Sequence, residues 1–155
     1  MPRHDANLTG ELPSFVTHLE CSMTGESYPA DELHGLSRAG RPLPVRYDLD
    51  GVRKALTREA LAARPADLWR YRELLPVRRA RDIVSLGETV TPLVPVTASA
   101  AAAGGGEVLV KDEGRLPTGS FKARGLVMAV SMAKALGVRH IAMPTNGNAG
   151  AALAD

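Results

Sequence analysis

The sequence predicts an α/β protein with an incomplete parallel sheet and flanking helices, set behind a turn-rich front segment. Three observations carry this expectation. From Val108 onward, strand-like and helix-like stretches alternate. Each helix there follows a glycine-bearing turn that leaves a strand-like run. The first fifty residues, by contrast, are rich in turn formers and lack helical periodicity. Strand–helix–strand–helix order is the pattern of parallel sheets with crossover helices.

Each element follows in chain order. In residues 1–50 the run Val45-Arg46-Tyr47-Asp48-Leu49 alternates like one short strand. Residues 51–81 carry nine Lys/Arg against three Asp/Glu, and read as a solvated helix followed by a connector. Pro92 and Pro95 exclude a helix interior over 82–97, which reads as extended. Residues 98–106, Ala/Ser followed by three glycines, read as a flexible loop. Val108-Leu109-Val110 is a short apolar strand, and Pro117-Thr118-Gly119 is a turn. Ser120 is the expected N-cap of a helix with Leu126, Val130 and Ala133 on one face. Gly137 is the expected stop. Val138 to Met143 is the next strand, Pro144 to Asn148 the next turn, and Ala149 to Asp155 the start of another helix. These boundaries divide the chain into 1–50, a basic connector 51–81, and the α/β segment 82–155. Two strands of a parallel sheet cannot cover both faces, so the pattern fits the front of a larger protein.

Composition bounds the function classes. The chain has 155 residues, 45% hydrophobic and 23% charged, as in ordinary globular proteins. Aromatics make up 4%, so the core is expected to rest on Ala, Leu and Val. A net charge of +2 is too small to argue for a nucleic-acid partner. No run of 18 apolar residues suggests a membrane span, and Met1 to Pro13 holds no secretory apolar core. A single cysteine, Cys21, fits a reducing compartment, so a cytoplasmic location is expected.

Two segments carry chemistry. Lys111-Asp112-Glu113-Gly114-Arg115-Leu116-Pro117-Thr118-Gly119-Ser120-Phe121-Lys122-Ala123-Arg124-Gly125 presents an amine, Lys122, at a helix start. Pro144-Thr145-Asn146-Gly147-Asn148-Ala149-Gly150 is an Asn/Gly turn whose backbone N–H groups suit an anion. Thr145, Asn146 and Asn148 add side-chain donors. An amine beside a loop of amide donors is the equipment a carbonyl cofactor with an anionic substrate requires.

Together these segments resemble pyridoxal-phosphate enzymes of the tryptophan-synthase-β fold group, and most closely the threonine synthases. Ser85-Leu86-Gly87-Glu88-Thr89-Val90-Thr91-Pro92-Leu93 and Trp69-Arg70-Tyr71-Arg72-Glu73-Leu74-Leu75-Pro76 resemble upstream segments of that family. The resemblance implies that Lys122 carries pyridoxal 5'-phosphate covalently and that Asn148 bonds the cofactor's ring hydroxyl. It implies that Thr145 and Asn146, with the backbone of their turn, receive the carboxylate of a small amino-acid phosphate. The implied reaction converts O-phospho-L-homoserine and water to L-threonine and phosphate. A threonine dehydratase or a β-replacement synthase of the same group, and a non-catalytic truncated remnant, are the alternatives. The family's phosphate-binding loop lies far beyond the asparagine turn and is not found here, so this chain is expected to be inactive alone.

The front segment resembles the frame of a zinc ribbon found in this branch, C-x-x-C-G-x-x-Y followed by C-x-x-C-G-x-P-L. Cys21 keeps the first ligand position, but Thr24, Leu36 and Ala39 stand at the other three. His18 and His34 are the nearest substitutes. A closed zinc site needs four thiolates or imidazoles, so no metal is expected and the ribbon is read as degenerate.

Overall fold

The computed structural model describes residues 8–97 and 104–154. The front segment forms a three-stranded antiparallel sheet, β1 (Val16–Glu20), β2 (Ser27–Tyr28) and β3 (Val45–Tyr47), in the order β2-β1-β3. β1–β2 pairing sets Leu19 opposite Tyr28, and a register shift between Val16 and His18 bends the β1–β3 ladder.

Two tight turns close this sheet at one end. Gly25 and Gly40 adopt φ of 72° and 67°, a left-handed conformation that favours glycine. The turns meet through side chains: Cys21 Sγ lies 3.1 Å from Ser37 Oγ, and Thr24 N–H donates to Cys21 Sγ (3.4 Å). Ser37, one residue beyond Leu36, thus supplies the contact that links the turns. His34 is hydrogen-bonded to the Pro29 carbonyl (2.9 Å) and packs edge-on against Tyr28, while His18 faces Thr17 and Glu20. Among the described residues no group of three or more His, Cys, Asp or Glu side chains converges.

The basic connector is broken into short pieces. α1 (Leu49–Ala55) is capped by Asp48, and α2 (Arg58–Ala62) by Thr57, whose hydroxyl accepts from Ala60 N–H (3.1 Å). The single helix expected here splits because Thr57 satisfies a new helix start better than it continues the old one. Neither helix buries a residue, in keeping with a solvated face. A 3-10 segment, Leu68–Leu74, then turns inward and buries Trp69 and Glu73. Glu73 is matched bidentately by Arg64 (2.8 and 2.7 Å), which ties the chain just past α2 to this segment.

Leu12, Trp69 and Val77 form the core, with Ile83, Met128 and Met132 packed against it. The core therefore draws on the front, middle and last parts of the chain.

β4 (Leu93–Pro95) and β5 (Leu109–Lys111) pair antiparallel, with Val94 opposite Val110. Both sheets among the described residues are antiparallel, so the expected parallel pairing is not formed, and 138–143, expected as a strand, forms neither helix nor ladder, since a strand needs a partner and none pairs with it among the described residues. The expected loop over 98–106 falls largely on 98–103, outside the described residues.

α3 (Lys122–Ala135) is the longest helix, and α4 (Asn148–Ala154) packs on it. Its buried face is Ala123, Val127 and Ser131, one residue ahead of the expected Leu126, Val130 and Ala133, which are half-buried. Two packing choices set that rotation. Ala123 admits close neighbours at the helix start, and fully buried Ser131 accepts from Val84 N–H (2.9 Å). The stop is the expected one. Gly137, at φ 73°, lets Gly137 N–H reach Lys134 O (3.1 Å) and Val138 N–H reach Ala133 O (2.9 Å). No helix among the described residues is long and apolar enough to cross a membrane.

Candidate active site

The loop into α3 is built to deliver Lys122. Gly119 takes φ 68°, turning the chain after Pro117-Thr118. Ser120 Oγ then accepts from Lys122 N–H (3.3 Å), so it serves the helix start although Phe121 occupies the formal cap position. The Lys122 ammonium lies 4.6 Å from the Phe121 ring centroid, held by the ring's negative face.

The second turn is organised by Thr145. Its hydroxyl accepts from Gly147 N–H (3.1 Å) and Gly150 N–H (2.8 Å), so two of the turn's donors are spent internally. Gly147 sits at φ 131°, open only to glycine without strain. A Cβ on Gly150 would lie 2.5 Å from Thr145 Cγ2, which makes glycine a packing requirement there. Asn146 and Asn148 are exposed beside this turn.

The two segments meet. Lys122 and residues Pro144 to Ala149 line one cleft of about 590 Å³. An amine, two side-chain amides and a glycine turn therefore face a single space. This donor set suits a carbonyl compound that also carries anionic and ring-oxygen acceptors, and so fits pyridoxal phosphate.

Sequence reasoning gave no role to a network beneath this site. Glu113 accepts from Arg124 through both oxygens, Nε to Oε2 at 2.7 Å and Nη2 to Oε1 at 3.1 Å. Thr91 Oγ1 donates to the same carboxylate, and Lys111 Nζ stands 3.7 Å away. Arg124 Nη2 also donates to Thr89 O (2.7 Å). The Arg124 guanidinium, opposed by burial and helped by Thr91 and Lys111, holds the Glu113 carboxyl at about 2. Both Glu113 and Arg124 stand inside the Lys111–Gly125 segment. Their opposite charges were the available signal, but spacing alone does not pair them.

Residues 84–154 match the family described as pyridoxal-phosphate dependent enzyme. The chain is similar to a threonine synthase of Methanocaldococcus jannaschii, at 38% identity over 134 residues, 86% of this chain and 33% of that protein. A threonine synthase of Methanosarcina acetivorans is 37% identical over 138 residues, 88% of this chain and 33% of that protein. One from Halalkalibacterium halodurans is 46% identical over 87 residues, 56% of this chain and 24% of that protein. The chain thus spans about a third of the length of the first two relatives. No solved structure matches it.

Proposed function

We propose that this chain, whose residues 84–154 match the pyridoxal-phosphate dependent enzyme family, forms the front portion of a threonine synthase acting on O-phospho-L-homoserine and water. The observation that carries this reading is the shared cleft of Lys122 and the 144–149 turn. When bound, the cofactor supplies an electron sink for bond changes on the amino acid. Lys122 anchors it through the side-chain amine and, once released by substrate, carries protons on Nζ. Asn148 donates its amide to the cofactor's ring oxygen. Asn146, with the backbone of its turn, binds the substrate carboxylate, and Thr145 both shapes that turn and borders the carboxylate.

The finer fold is proposed on the same footing. Leu93, Val94, Leu109, Val110 and Ile141 are exposed, which supports a sheet that further strands and helices of a longer protein cover. The Cys21–Ser37 contact between facing glycine turns supports a ribbon that has lost its metal and keeps its shape by packing. The segments 1–50, 51–81 and 82–155 then act as parts of one packed body, as their joint core suggests. We place the reaction in the cytoplasm, and we expect turnover only from a protein of the relatives' length.

The test is product analysis with a full-length protein. Phosphate and threonine appearing together from O-phospho-L-homoserine support the assignment. Ammonia or a keto acid released from threonine, without that phosphate, assigns a dehydratase instead.

A further inference from the structure

Helix α3 carries the amine, but the helix itself must be held. Its first turn makes one strong polar attachment to the rest of the molecule, through Arg124, two residues after Lys122. That guanidinium reaches two separate pieces of chain. It grips both oxygens of Glu113 in the 3-10 turn after β5, and it donates to Thr89 O ahead of β4. Glu113 is fastened in turn by Thr91 Oγ1, and Lys111 Nζ donates to Thr91 O (3.2 Å). A bidentate fork fixes angle as well as distance, which a single ammonium contact does not. With side chains about one fifth exposed, the pair is shielded enough to persist in salt.

We propose that Glu113 and Arg124 are positioning residues that lock the rotation of the first turn of α3 and so fix the direction in which the Lys122 amine enters the cleft. The inference rests on the reading of Lys122 as the cofactor-bearing residue. Arg124 and Glu113 do not line the cleft, so their effect passes through the helix backbone. Orientation of a reacting group by about 1 Å is enough to change its rate by an order of magnitude or more.

The experiment compares two aldehydes on the full-length chain, each trapped by borohydride and mapped by peptide mass spectrometry. Pyridoxal phosphate must fit the cleft, whereas formaldehyde reads only whether the amine is accessible. Lys54 and Lys134 serve as internal controls. In Glu113→Gln and Arg124→Lys, pyridoxyl labelling of Lys122 is expected to slow at least about tenfold, while formaldehyde labelling stays within about twofold. Thermal unfolding is followed in parallel, and labelling is done well below each variant's midpoint. Unchanged pyridoxyl labelling in the folded variants overturns the positioning role. Equal loss of both labels overturns it too, because a general loosening of the fold then explains the result. If the unaltered chain takes formaldehyde but no pyridoxyl group at Lys122, the cofactor reading itself fails and takes this inference with it.

Discussion

A methyl group at position 150 would collide with Thr145 Cγ2 at 2.5 Å, and the Thr145 hydroxyl is the acceptor that starts α4. Gly150→Ala is therefore expected to displace the turn, at a cost of about 1–3 kcal/mol in chemical denaturation. Thr145→Val keeps the shape but strands the Gly147 and Gly150 donors, at a cost of about 1 kcal/mol. Glu113 sets a pH signature. Its carboxyl titrates at about 2 in the folded chain, below the ordinary 4.5. Stability from the Arg124 pair is therefore complete above pH 4.5 and is lost as pH falls toward 2. The loss is on the order of 2 kcal/mol, and it should be missing from the acid unfolding curve of Glu113→Gln.

Among the elements, the chain just past α2 and the Leu68–Leu74 segment depend on a nearly buried charge pair. The Arg64 and Glu73 side chains are only 12% and 4% exposed. Glu73→Ala leaves the guanidinium uncompensated and is expected to cost about 3–5 kcal/mol, whereas replacing both partners with apolar residues of similar size costs far less. Denaturant midpoints of the single and double variants separate the two outcomes. In the front sheet, hydrogen bonding with Ser37 and Thr24 lowers the Cys21 thiol to about 7, which favours reaction, but the residue is 1% exposed. Access decides the rate, so a thiol reagent is expected to label Cys21 on unfolding and only slowly before it. A few element ends were readable in the sequence, although the cap of α3 falls on Phe121, one residue past the expected Ser120. Gly137 and the Asn/Gly turn act through backbone geometry that a few residues dictate. The buried face of α3 was misjudged by one position, because Ala123 and Ser131 are chosen by their neighbours and not by hydrophobicity.

At the scale of the whole molecule, the two helices and the shared cleft of Lys122 with the asparagine turn could be read from sequence, whereas the expected strand over 138–143 and the parallel sheet do not form among the described residues. The pairing of β4 with β5 and the joint core could not be read, since both join residues far apart in the chain. The apolar faces of β4 and β5 remain exposed, so a dye that reports apolar surface is expected to bind. Leu93→Lys with Val110→Lys should reduce that binding while shifting stability by no more than about 0.5 kcal/mol each. The central claim is that the Lys122 amine carries a carbonyl cofactor beside the 144–149 turn. Its most direct test is peptide mapping after pyridoxal phosphate and borohydride are added to the full-length chain and to Lys122→Ala. The account predicts a pyridoxyl group on Lys122 in preference to Lys54, Lys111 and Lys134, and no selective label in the variant. Equal labelling of these four lysines, or none at Lys122, would contradict it.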